Sequence, residues 1–568
     1  MKNNQFLLLL LCLVFISQTI LSQSPNGNLS QRFTRADTLR GMLTPERSCY
    51  DVTYYHLDIR VDPEKRFISG SNKIRFRAVN PFKKMQIDLY DNMEIESVAF
   101  KSQKSLLFAR EYNAVFIELP ETVAKGSEAE ITIHYSGNPR VSLRPPWHGG
   151  FTWASDSSGN PWVAVTCQGD GASLWWPNKD HQSDEPDSMM LSVTVPPGLQ
   201  NISNGRLRNK ETLDDGWERY NWFISYPINN YNVTLNIGKF AHFSDVYTNA
   251  DNETLTLDYY VLPASLEKAK KQFQQVKPMM ECLEKYFGKY PFYRDGFKLI
   301  ESPHNGMEHQ TAVAYGNRFL GGYLGKAPAA VGLEFDFIIL HETAHEWWGN
   351  SVTSNDIADM WIHESFGAYT EAVYVEHFYG YDEALKYING KKQTVGNAQP
   401  IIGVYNVHKR GAGDMYNKGQ LVLNTLRNVI DNDSLWFSIL LGIQDTFKYQ
   451  SIDAVDVFNY INQKTGQDFG YFFEQYLKHP EIPELAIFLR KSGKRVSMQY
   501  KWNADVTDFR MPVKVTTSKS QFEFIYPTTE DQTMELNEMA LEDFQIAEDL
   551  FYVNLNLRWQ YLDPELNN

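Results

Sequence analysis

Apolar and polar residues alternate with a period of two through Leu57, Ile59 and Val61, through Ile74 and Phe76, and through Ile131, Ile133 and Tyr135, with Gly, Pro, Asn and Ser between the runs. Successive side chains of a strand point to opposite faces, so this pattern predicts half-buried strands and an antiparallel β-domain over about residues 54–243. Near residue 264 the period lengthens. Leu266, Ala269, Phe273, Val276, Met280, Leu283 and Phe287 are spaced by three and four, the spacing of one helical face, until Gly288 stops the run. Pro278 should kink this helix. Further helices are predicted over 331–348, 360–378, 417–430 and 454–464. Alternation returns after Pro480 and Pro483, in 495–500 and 513–516, and predicts a small closing β-module.

The first residues read differently. Lys2 precedes an apolar run from Phe6 to Ile16, too short to cross a bilayer comfortably, and small Ser22 follows Ile20 and Leu21. This pattern predicts a cleaved signal over 1–22 and a mature chain that is secreted or periplasmic. No later stretch approaches 18 apolar residues, so no stable membrane insertion is expected once the signal is removed. The 568-residue length exceeds a small binding module and suggests several domains, and 43% hydrophobic residues supply real cores. A net charge of −15 argues against a nucleic-acid partner. With Cys12 in the signal, Cys49, Cys167 and Cys282 remain, allowing at most one disulfide. They show no CxxC or Cys/His spacing and read as buried small hydrophobes.

Candidate chemistry lies in the helical region. His341, Glu342 and His345 form a His-Glu-x-x-His run. Residues four apart share a helix face, so both imidazoles can reach one ion, while Glu342 is turned about 100° aside, free to act on a water. Leu333, Phe337, Leu340, Ala344 and Trp347 provide a core ridge beside them, and Gly349 with Asn350 should end the helix. A catalytic zinc takes three protein ligands and keeps one open position. Glu364, separated from His345 by eighteen residues on a second predicted helix, completes the set. Glu371, two turns further along the same face, is a candidate acceptor for a ligand imidazole N–H.

The His-Glu-x-x-His run, Glu364, the Trp347 to Thr353 segment and Trp361-x-x-Glu364 resemble the M1 family of gluzincin zinc aminopeptidases. Asn305-Gly306-Met307-Glu308-His309 is similar to that family's Gly-x-Met-Glu-Asn exopeptidase motif, and Tyr416-Asn417-Lys418-Gly419 to its Tyr-x-Lys-Gly segment. Gln168, Trp175-Trp176-Pro177 and Asp184-Glu185-Pro186 resemble the part of the N-terminal domain that meets the active site. The resemblance implies an α+β multidomain fold. Its expected division is a signal peptide (1–22), an N-terminal antiparallel β-domain (23–247), a thermolysin-like, mainly helical zinc domain (248–482) and a small C-terminal β-sandwich (483–568).

It further implies one Zn²⁺ per chain on His341, His345 and Glu364, Glu342 as general base, and Tyr416 as donor to the developing oxyanion. Glu308 and Gln168 would hold the free amino terminus of a peptide, with Gly306 and Met307 lining the substrate path. The expected activity is removal of amino-terminal residues from peptides. A thermolysin-like endopeptidase, in which Glu308 is dispensable, and an inactive M1-like binding protein are the alternatives. Three departures stand out: Asn305 and His309 replace the usual Gly and Asn, His309 being read as a hydrogen-bonding substitute, and His363 stands where Asn commonly precedes the ligand Glu. About 85 residues follow Pro480, which predicts a comparatively open site.

Overall fold

Strands occupy the first part of the chain where alternation predicted them. The computed structural model describes residues 32–518, 521–536 and 539–562, so the expected signal at 1–22 lies outside the described residues. A seven-stranded sheet runs, edge to edge, Arg206–Thr212, Glu218–Ile224, Ser188–Val195, Tyr50–Asp62, Phe67–Ala78, Glu128–Gly137 and Met93–Phe100. Its inward residues Leu57, Ile59, Ile74, Phe76, Ile131 and Ile133 are buried, as the period-two pattern requires. One pair departs from the antiparallel expectation: Tyr50–Asp62 runs parallel to Ser188–Val195. The chain reaches that position through a long excursion that includes the paired strands Gly150–Ser155 and Pro161–Thr166. The second of these strands leads directly into Cys167 and Gln168.

A second, five-stranded sheet orders Ala241–Thr248, Thr254–Val261, Phe297–Glu301, Val313–Tyr315 and Gly306–Met307. The expected division at residue 247 therefore falls inside a strand. Helices follow. Leu266–Gln272 and Val276–Phe287 are joined by a tight turn at Phe273–Gln275. Pro278, which lacks an N–H, is accommodated in the first turn of the second helix, so the break lies just before it rather than at it. Four helices matter below: α1 (Arg35–Gly41), α2 (Phe337–Ala344), α3 (Trp361–Tyr379) and α4 (Asn417–Ile430). The C-terminal part holds a four-stranded sheet and a two-stranded one. The chain is thus α+β, with an N-terminal β-rich part, a helical middle and closing sheets.

The predicted helix over 331–348 is shorter at both ends. Ala330–Leu333 forms a separate tight turn, and α2 starts after Asp336, whose carboxylate caps Ile338 and Ile339. Leu333, expected in the core ridge, is exposed, while Leu340, Ala344 and Trp347 are buried. At the other end the helix gives way to turns after Ala344, as Trp348 pairs with Val352. Cys49, Cys167 and Cys282 are buried free thiols, as expected. Among the described residues, no helix is long and apolar enough to cross a membrane.

Two apolar cores organise these elements. One gathers side chains from Cys49 to Phe240 together with Ile300 and Ala312, and the other runs from Tyr226 through the helices to Tyr552. The C-terminal strands place Leu485, Ile487, Met498 and Trp502 in that second core, packed with the helical part rather than around a core of their own. Within it, α3 and α4 touch closely at Gly419, where a Cβ would lie 2.0 Å from Ser365 Oγ. Gly419→Ala should therefore cost about 1–3 kcal/mol through overpacking. In urea denaturation the midpoint should fall, and adding Ser365→Gly should recover part of the loss; an unchanged midpoint would show that this contact is not tight.

Candidate active site

α2 is aligned by a buried cap. Asp336 accepts hydrogen bonds from Ile338 N, from the Tyr315 hydroxyl at 2.7 Å and from Asn317 Nδ2 at 2.8 Å, and burial pushes its carboxyl up to about 6. One turn on, His341 and His345 face the same side, their rings 88° apart and their Nε2 atoms separated by 3.4 Å. α3 crosses beneath them and brings Glu364 Oε2 to 3.4 Å from His345 Nε2 and 4.0 Å from His341 Nε2. The three donors form the cluster the spacing predicted.

The other ring nitrogens are already engaged. His341 Nδ1 lies 2.9 Å from Glu371 Oε1, and His345 Nδ1 lies 2.8 Å from the Trp348 carbonyl oxygen, so both Nε2 atoms are left for a shared ligand. Glu371 stands where the two-turn spacing put it. Its second oxygen is held by the Tyr387 hydroxyl at 2.8 Å and by Lys391, partners for which the sequence carried no signal.

The donor set fits zinc. Bonds of about 2.0–2.2 Å at tetrahedral angles place donor atoms about 3.3–3.6 Å apart, and two of the three separations match while the third is slightly longer. Glu364 Oε2 is buried without a hydrogen-bond partner, which a cation would supply. Burial would favour the neutral acid, but His345 and His341 outweigh it and hold the Glu364 carboxyl down at about 2.

Glu308 follows directly on the edge strand Gly306–Met307 and is 1% exposed, so it is not a solvated loop charge. The Tyr231 hydroxyl donates to its Oε1 at 3.1 Å. Gln168 Nε2, coming from the N-terminal part, donates to Glu308 Oε1 at 2.5 Å and to Glu364 Oε1 at 2.8 Å. One amide thus spans the two carboxylates. Burial pushes the Glu308 carboxyl up to about 7, against the pull of His345 and with Glu364 adding to the shift. Glu342 lies against Gly306, where a Cβ would sit 2.5 Å from its Oε1, and burial followed by Glu308 pushes its carboxyl well up.

Tyr416 completes the group. Its ring stacks on His341 at 6.0 Å, and its hydroxyl lies beside Glu364. Burial, then Glu364 and Glu308, push the phenol well above its ordinary value, so it is a proton donor. The residues after it explain its placement. Lys418 is buried and donates to the His479 and Pro480 carbonyl oxygens, and Gly419 packs on Ser365, next to Glu364.

These side chains open on one cavity of about 750 Å³, lined also by Met307, Tyr323, Phe337, Lys391, Trp147 and Arg410. Other expected contributors lie elsewhere. Trp175 and Trp176 are in the N-terminal core, and Asp184 pairs with Lys179. His309 is buried with neither ring nitrogen bonded to a described residue, so it is not the hydrogen-bonding substitute expected for Asn; burial, and next His304, lower its pKa well below the usual histidine range. His363 Nε2 accepts from Ser354 N at 2.9 Å and supports the backbone. Asn305 donates to the Tyr323 hydroxyl at 2.9 Å. Tyr231, Lys391, Tyr387 and Arg410 were not anticipated, since nothing local distinguishes them.

Two buried imidazoles and a carboxylate on two helices, with a glutamine from a β-rich part joining that carboxylate to Glu308, are the arrangement of a metallopeptidase. Residues 51–231 match the Peptidase M1 N-terminal domain and residues 271–476 the Peptidase family M1 domain, and the chain belongs to peptidase family M1. It is similar to Leucyl aminopeptidase of Saccharolobus solfataricus, 24% identical over 335 residues, covering 54% of this chain and 40% of that protein. It is also similar to Endoplasmic reticulum aminopeptidase 1 of Homo sapiens, 22% identical over 340 residues, covering 57% of this chain and 35% of that protein. The match thus spans well under half the length of these relatives. An M1 zinc metallopeptidase from Deinococcus radiodurans shares the fold with a TM-score of 0.65 at 19% identity, over 76% of this chain and 94% of that one. A mutant of the Deinococcus radiodurans enzyme bound to a Tyr-Ser-Ala substrate gives 0.63 at 18% identity, over 77% and 95%.

Because Glu371 orients His341, Glu371→Gln should weaken zinc binding about 10–100-fold. Competition against a chromophoric chelator reads this directly. Equal affinity in the variant and the parent would remove Glu371 from the site's support.

Proposed function

We propose that this chain is a secreted aminopeptidase that holds one zinc per chain on His341, His345 and Glu364 and releases residues from the amino terminus of peptides. The observation that supports it is the buried Glu308 carboxylate, tied through Gln168 to Glu364. An acid fixed there pairs with a free α-ammonium and sets the first peptide bond over the metal ligands. The signal-like pattern over 1–22 supports export.

When bound, zinc would polarise the scissile carbonyl and lower the pKa of a water. Glu342, facing the cavity one residue after His341, accepts the proton of the attacking water and passes it to the departing amine. Tyr416, kept protonated, donates to the carbonyl oxygen as it gains charge. Gly306 and Met307 form the edge strand along which the peptide lies, and the absent Cβ at Gly306 leaves room for the Glu342 carboxylate.

Glu342→Gln should lower kcat by about 10²–10⁴-fold on aminoacyl anilides while zinc stays bound. Tyr416→Phe should lower kcat by about 10²–10³-fold with little change in KM. Glu308→Ala should cost about 10–100-fold in kcat/KM on free-amine peptides. If Glu308→Ala leaves those substrates untouched and amino-blocked peptides are also cut, the chain is an endopeptidase. If activity survives both a chelator and Glu342→Gln, the mechanism fails.

A further inference from the structure

Three cations line the cavity, and they differ in what surrounds them. Lys391 is ion-paired with Glu371, and Lys326 is exposed at the rim. Arg410 is half-buried, and among the described residues its guanidinium has no hydrogen-bond or ion-pair partner. Its Nη1 lies 3.3 Å from where a Cβ of Gly169 would be, next to Gln168, and its charge acts on the Tyr416 phenol. A cation thus stands against Gly169, on the same cavity that Glu308, Glu342 and Glu364 line.

The loop that carries Arg410 is held from several sides. Val404 N bonds the Lys409 carbonyl oxygen, Gly403 N bonds that of Ala358, and Ala412 N bonds that of Pro400. Tyr405 donates to Asp359 Oδ1 at 2.7 Å, and His408 Nε2 lies 2.8 Å from the Gly169 carbonyl oxygen. From outside, Gly41 at the end of α1 packs on the backbone of Val407 and His408 so closely that a Cβ would sit 2.0 Å from His408 N. Arg47 fixes this N-terminal strap by pairing with Asp88 at 2.6 Å and donating to the Arg40 and Met42 carbonyl oxygens. A planar fork of donors on a fixed loop, with no partner of its own, is pre-organised for a carboxylate.

We infer that Arg410 binds a carboxylate of the peptide downstream of the scissile bond, either the C-terminal carboxylate of a short peptide or an acidic side chain. The inference rests on the aminopeptidase reading for the substrate's direction. Amine on Glu308 and carboxylate on Arg410 would then grip a substrate at both ends.

Binding and turnover are measured separately. Zinc-loaded Glu342→Gln should bind Ala-Gly-Gly as the free acid about tenfold or more tightly than as the C-terminal amide by calorimetry. Glu342→Gln/Arg410→Gln should bring that ratio to about one, and Arg410→Lys in the same background should keep part of it. If the advantage disappears in Ala-Gly-Gly-Gly-Gly free acid, the terminal carboxylate is the ligand; if it appears in Ala-Gly-Glu amide, the side chain is. Equal binding of acid and amide by Glu342→Gln, or an unchanged ratio after Arg410→Gln, overturns the inference. Failure of the wild-type chain to cleave either form overturns the proposed function instead and leaves the binding ratio to decide the role of Arg410.

Discussion

Buried negative charge governs this site. Glu308, Glu342 and Glu364 converge on one cavity, and each is nearly inaccessible to water. Lys391, the buried ammonium at hand, is spent on Glu371. Placing an uncompensated carboxylate in a protein interior costs several kcal/mol, and three together repel one another. Burial raises the Glu308 and Glu342 carboxyls, while the imidazoles hold the Glu364 carboxyl down. On the proposed function, a divalent ion at the histidines and a substrate ammonium at Glu308 would supply compensating charge.

That arrangement is stable only because the scaffold holds the carboxylates in place. α2 is pinned by its buried Asp336 cap, α3 is buried over most of its length, and α4 is locked to α3 through Gly419 and Ser365. Lys418 anchors the start of α4 to the segment after the last helix. Tyr416 is therefore positioned against Glu364 by packing that lies outside the cavity. The small residues around the site act by what they leave out: Gly306 makes space for Glu342, and Gly367 lets α3 approach the His345 ring.

Much of this was legible in the chain. Helical spacing placed His341 and His345 on one face, and the two-turn interval from Glu364 to Glu371 put an acceptor beside a ligand ring, because both relations are local and set by 3.6 residues per turn. The length of α2 was overestimated, since the apolar period runs on through Val331 and Trp348 while a side-chain cap at Asp336 and a bridge at Trp348 end the helix. Lys391, Tyr231 and Arg410 stayed hidden for another reason. Their roles arise from contacts between residues 20, 77 and some 240 positions apart, and no periodicity encodes which cation meets which acid. The parallel pairing of Tyr50–Asp62 with Ser188–Val195 is likewise a long-range choice that alternation within each strand does not specify.

The reach of Gln168 makes the N-terminal part a component of the site rather than an appendage. Its amide comes from the turn that follows a strand of the first core and touches acids positioned by the second. On the proposed function, the junction between the two cores would fix where a substrate's amine can sit relative to His341, His345 and Glu364. The Arg410 loop lies on the same junction, between Gly41 on one side and Gly169 on the other. Any sliding of one core past the other would move Gln168, Glu308 and Arg410 out of register together. A peptide gripped across that junction would reciprocally hold the two cores together, since a ligand that binds one relative placement stabilises it by its differential affinity.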